Sequence, residues 1–247
     1  MIAIGLHQEY IARIGSFLIS NSLFTAGIVT LALIALACIA WTKLNDGDPF
    51  GKSRAQRTAE AIFEPLWNFV RGVLENERVA MVVFPYIATF FVFILVANAI
   101  EILPGFLGSF GVRHGGEGLV PLLRSPSTDL NVTVALALIS VGMTQIFAIR
   151  FIGFKKYISK FISFSSPLKT VLGLFEAIGE ISKMLSFSFR LFGNMFAGSV
   201  LLIVVGFLVP YILPLPFMAL ELFVGFVQAL IFSMLTLMFI KAALAHS

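Results

Sequence analysis

Long apolar stretches alternate with short polar ones along this chain. No charged residue occurs from Leu23 to Trp41, from Met81 to Ile100, or from Leu130 to Ile149. These runs predict helices over about 23–41, 81–100 and 129–150, each close to the roughly 20 apolar residues needed to cross hydrocarbon. From about 169 to 208 the pattern continues as one helix of some 40 residues. At about 1.5 Å per residue that is roughly twice the hydrocarbon thickness, so the helix must tilt, bend or lie partly along the membrane plane. Pro210, Pro214 and Pro216 break it, and a second long helix returns over about 217–245. Residues 57–80 differ. Ile62, Leu66, Phe69, Val70, Val73 and Leu74 recur at helical spacing opposite Glu60, Glu64, Arg71, Glu75 and Arg78. That is an amphipathic helix, too charged to cross a bilayer and suited to lying on one. The same pattern also suits docking on a partner protein. The expectation is an all-α membrane protein with about five membrane helices and one surface helix, its last two helices a long, strongly tilted hairpin. Residues 1–247 then form a single integral membrane domain.

Composition agrees. Of 247 residues, 59% are hydrophobic and 12% charged, and the mean hydropathy is +0.99. A soluble domain carries about a quarter charged residues, so a water-soluble enzyme, a disulfide scaffold and a disordered chain are excluded. Cys38 stands alone, which rules out a disulfide framework or thiol metal site. The 17 basic residues against 13 acidic ones read as basic loops, not as nucleic-acid binding. Lys43, Lys52, Arg54 and Arg57 make one such loop, and Arg150, Lys155, Lys156, Lys160 and Lys169 another. The positive-inside bias places both in the cytoplasm. Residues 1–22 are then extracytoplasmic, and an odd number of crossings puts the C-terminus inside. Glu9 and Arg13 sit where a signal peptide would carry only a basic head, so a cleaved signal is not expected.

Between Lys183 and Glu221 the single charge is Arg190. An arginine at a bilayer centre costs about 2.5–3.5 kcal/mol on insertion scales. A snorkelling or structural arginine is the bland explanation, but apolar residues extend for more than two turns on either side. The functional alternative is an anionic partner or polar pathway inside the membrane. Arginine keeps its charge and relays no proton, yet it can lure a carboxylate with about 4 kcal/mol at 4 Å and an effective dielectric of 20. Asn194, at i+4, shares its face, and Glu176 comes round to nearly that face, while Ser199 points the other way. On the returning helix Glu221 and Gln228 share one stripe. One acid toward each side with a fixed cation between them suggests two offset half-paths.

The stretches SFRLFGNMFAG (188–198), ELFVGFVQALIFSMLT (221–236) and PSTDLNVTVALAL (126–138) resemble the subunit a family of F-type ATP synthases, over roughly residues 57–245. The resemblance implies proton translocation coupled to rotation of a c-subunit ring, with b-type peripheral stalk subunits and membrane lipid as further partners and no nucleic acid. It also implies a non-catalytic subunit without cofactor or metal, in a bacterial plasma membrane. Residues 169–245 would carry the ion pathway. Arg190 matches the arginine that faces the ring carboxylate, and Asn194 and Gln228 match its polar companions. Glu221 matches an acidic or histidine position of the outer half-channel, and Glu176 an acid of the inner one. Asp129 and Asn131 resemble polar residues near the outer entrance. Some members carry Glu or His where this chain has Ser199, so Glu221 is expected to supply the ionisable group.

A multi-pass secondary transporter or ion channel is the rival reading, but the halves show no repeat and Arg190 has no deep acid at close helical spacing. An intramembrane enzyme fares worse. His7, His114 and His246 form no metal motif, and GDPFGKS (47–53) has one residue too few between its glycines for a P-loop. The Gly111–Gly115 spacing lies in a polar loop and says nothing of helix pairing. A pure scaffold leaves Arg190 unexplained. Glu180 and Lys183 read as a solvated or structural i+3 couple, with no transport role.

Overall fold

The computed structural model describes residues 10–14, 17–45, 54–100, 111–113, 119–121, 124–161, 167–209 and 212–245. Its helices are α1 (Asn21–Asn45), α2 (Arg54–Leu74), α3 (Glu77–Ala99), α4 (Leu130–Ile152), α5 (Phe154–Phe161), α6 (Pro167–Leu208) and α7 (Pro214–Ala245). Among the described residues α1, α3, α4, α6 and α7 are long and apolar enough to cross a membrane. The chain is a multi-pass, all-α membrane protein. Two short antiparallel hairpins lie outside the helices, β1 (Tyr10–Ile14) with β2 (Phe17–Ser20) and β3 (Gly111–Arg113) with β4 (Leu119–Pro121). Both fall in segments expected to be irregular, and pairs this short build no core of their own.

The amphipathic helix expected over 57–80 ends at Leu74. Glu75 takes a left-handed turn at φ 56, and the Asn76 side chain accepts from the backbone N–H groups of Arg78 and Val79. An asparagine that satisfies free N-terminal amides starts a new helix more cheaply than it continues an old one. Residues 77–80 therefore belong to the spanning helix α3. Lys241 donates to Glu75 Oε1 at 2.9 Å, tying α7 to this corner, and that hydrogen bond and charge hold the Glu75 carboxyl below its ordinary range. On α2, Leu66 and Val70 are buried while Ile62 and Phe69 are exposed. The predicted stripe thus meets the protein along one edge, where Trp67 packs edge-on against Phe84.

The basic stretch after Arg150, expected as loop, contains α5. Gly153 at φ 92 and ψ 145 turns the chain into it, a conformation essentially confined to glycine. α6 has 42 residues and spans about 63 Å. α7 begins earlier than expected because Pro214 and Pro216 sit in its first turn, where no intrahelical N–H is required. Phe187 of α6 packs on Phe232 and Phe239 of α7, and Phe232 on Phe90 of α3. Ile87, Ile94, Phe147, Leu191 and Leu237 complete this core. α1 is largely uncovered. Lipid is as apolar as leucine, so van der Waals packing and interhelical hydrogen bonds hold such a bundle, with little help from burial as such.

Gly153→Ala should cost about 1–3 kcal/mol through backbone strain alone, since nothing lies within 4 Å of the added Cβ. The check is a lower thermal midpoint of the purified protein in detergent.

Candidate functional site

Arg190 lies mid-helix in α6, between Phe189, which is exposed, and Leu191, which is fully buried. Its side chain is half-buried. Nη2 donates to Ser186 Oγ one turn back at 3.4 Å, a long bond. Among the described residues no carboxylate of this chain pairs with it. One turn on, Asn194 donates from Nδ2 to Gln228 Oε1 of α7 at 2.8 Å. Gln228 is 3% exposed, and its Nε2 has no hydrogen-bond partner among the described residues. The structure therefore joins Asn194 to Gln228, with Arg190 one turn back along α6 from Asn194. The result is a cation near a buried amide donor that lacks a partner among the described residues.

Glu221 is 5% exposed on α7. It lines a pocket of about 70 Å³ with Asn194, Gly198, Leu202 and Phe217, room for a few waters. A Cβ at Gly198 would stand 2.6 Å from Glu221 Oε1, so the carboxylate would have to shift to admit one. Ser199 is buried beside it and donates to the Met195 carbonyl. One turn beyond Glu221, the Gly225 carbonyl accepts from Asn98 Nδ2 of α3, whose Oδ1 accepts from Ser127. Asn98 and Ser127 were missed in the sequence. Their signal was an amide in the last turn of an apolar span and the adjacent polar run at 126–129.

Asp129 is 2% exposed. Its Oδ1 accepts from the Asn131 backbone N–H and its Oδ2 from the Ser20 hydroxyl, so it caps α4 and ties it to the start of α1. The Asn131 side chain is exposed. Nearby, Arg124 Nε donates to Thr128 Oγ1.

At the other end of α6, about four turns from Arg190, Glu176 is half-buried. Glu180, read as a solvated or structural couple with Lys183, is largely covered, its side chain 15% exposed. Lys183 donates to Glu180 Oε1 at 2.8 Å and sits over the Phe239 ring. Gln145 Nε2 donates to Glu180 Oε2 at 2.7 Å, and the Tyr157 hydroxyl donates to Gln145 Oε1. Burial pushes the Tyr157 phenol above its ordinary value, and the charges of Glu180 and then Glu176 add to the rise. Both carboxylates therefore act on Tyr157. Gln145 and Tyr157 were also missed, although an amide inside the 129–150 run was visible.

Residues 23–241 match the family model described as ATP synthase A chain. The chain is similar to ATP synthase subunit a of Syntrophobacter fumaroxidans, 34% identical over 99% of this chain and 94% of that one. Against the subunit a of Desulforamulus reducens it is 33% identical over 88% and 77%. For Campylobacter jejuni the figures are 33% over 89% and 88%.

Gly198→Ala should shift the Glu221 carboxylate within its pocket and cost about 1 kcal/mol, the low end for overpacking, because the obstructing atoms are the movable end of a side chain; the readout is a slightly lower thermal midpoint. Adding Glu221→Asp, one methylene shorter, should restore most of the loss.

Proposed function

Because this chain belongs to the ATP synthase A chain family, we propose that it carries protons between two offset half-paths and the carboxylates of a rotating c-subunit ring. The outer half-path runs past Asp129, Asn131, Ser199 and Glu221, and the inner one opens near Glu176. A proton entering from outside neutralises a ring carboxylate, which then faces lipid at low cost, whereas an ionised one does not. After nearly a full turn the site meets the inner half-path and releases its proton. Arg190 draws the resulting anion, and its permanent charge bars direct leakage from one half-path to the other.

One observation carries this reading: a guanidinium inside an apolar helix whose described contact within its own chain is a long bond to Ser186. Its uncompensated charge calls for an anion from another chain. The Asn194–Gln228 bond supports it by fixing α6 against α7 one turn from Arg190. The buried Glu221 at its pocket supports an ionisable group on the outer side. A ring of small subunits, peripheral stalk subunits and a bacterial plasma membrane complete the assembly, with the N-terminus outside and the C-terminus in the cytoplasm.

Arg190→Ala should abolish ATP-driven proton pumping and proton-driven synthesis by the assembled complex in inverted membrane vesicles. Synthesis at the wild-type rate would refute the assignment. Gln228→Leu, which breaks the bond to Asn194 but spares the charge, should lower pumping without abolishing it.

A further inference from the structure

Along α6, side-chain hydrogen bonds to other helices include those at Asn194, at Ser188 with Thr133 of α4, and at Glu180. The last is the most connected. Glu180 accepts from Gln145 of α4 on one oxygen and from Lys183 on the other, Gln145 accepts from Tyr157 of α5, and Lys183 lies 4.8 Å from the centre of the Phe239 ring of α7. Four helices are thus linked through this carboxylate, Gln145 and Lys183. Each oxygen of Glu180 accepts from one donor, Gln145 of α4 on Oε2 and Lys183 on Oε1. Bonds on both oxygens suit it to holding position.

Glu176 lies one turn along the same stripe of α6, and Tyr157 senses both carboxylates. We propose that Gln145 is a positioning residue for the inner half-path: by bridging Tyr157 and Glu180 it clamps α5 and the first third of α6 to α4, so that Glu176 is held at the mouth. This rests on the translocation reading above. α6 is far longer than a bilayer is thick, and its outward side here, at Leu174, Phe175 and Ile178, is exposed. A helix pushed sideways by a moving partner needs an anchor on its opposite side, and the clamp supplies it.

The experiment uses the complete complex in inverted vesicles and reads protons pumped per ATP hydrolysed, normalised to assembled complex, a ratio that a defect in folding alone does not move. Gln145→Leu should lower the ratio by about threefold to tenfold, the scale expected of a small misplacement. Exchanging the pair, Gln145→Glu with Glu180→Gln, keeps every hydrogen bond, although Lys183 then bonds an amide in place of its ion-pair partner. The carboxylate, now on α4, accepts from Tyr157 and from the amide now on α6, and the oxygen of that amide accepts from Lys183. The exchange should return the ratio to within about twofold of wild type. A wild-type ratio in Gln145→Leu, or an exchange variant no better than Gln145→Leu, overturns the proposal. If Gln145→Leu does not assemble, Tyr157→Phe removes one bond of the clamp and is read the same way, a fall supporting it and a wild-type ratio overturning it. Arg190→Ala measured alongside separates the two ideas. Pumping by that variant sinks the translocation reading, whereas its loss beside a normal Gln145→Leu sinks the clamp alone.

Discussion

A charge that the described residues of its own chain leave uncompensated inside hydrocarbon is the constraint on which the rest of this structure depends. Arg190 cannot lose its proton, and the helix around it gives it only the Ser186 hydroxyl at 3.4 Å. An ionised group in such a place is costly wherever lipid surrounds it. The surrounding architecture is arranged to make that charge useful. The half-buried side chain is reachable from outside the subunit, the Asn194–Gln228 bond sets its helix against α7, and the acids Glu221 and Glu176 stand away from it along the two helices instead of quenching it.

The same scarcity of polar partners explains how the bundle is registered. Apolar side chains slide over one another in lipid with little preference, so a few buried hydrogen bonds decide which turn meets which. Thr133 with Ser188 sets α4 against α6, Ser140 with Thr236 sets α4 against α7, and Asn98 with the Gly225 carbonyl sets α3 against α7. Each is a small group in a helix that otherwise reads as grease. Aromatic contacts such as Phe187 with Phe232 fill the space between these fixed points.

How much of this could be read from sequence depended on range. The spanning helices were legible because hydropathy and length suffice, and Arg190 with Asn194 because one helical turn relates them. α5 was hidden by its lysines, which disguised a helix as a loop, and the break at Glu75–Asn76 lay inside a pattern that still looked helical. The partners of Asn98 and Gln145 were beyond reach. Asn98 meets a carbonyl 127 residues away and Gln145 a carboxylate 35 residues away, and no periodicity announces such pairs. Glu180 and Lys183 were seen as a couple, but only the third dimension shows that Gln145 joins them and that Glu180 is largely covered. Asp129 was read by resemblance as a polar residue of an entrance, whereas the fold uses it as the cap of α4.

The brief link between Leu208 and Pro214 has a consequence for biogenesis. With so few residues between them, α6 and α7 leave the ribosome almost as one element. Each of the two is apolar enough to cross by itself, so they can enter lipid together as a hairpin. Arg190 is then brought in flanked by apolar sequence on both sides, with no polar spacer to hold either helix back.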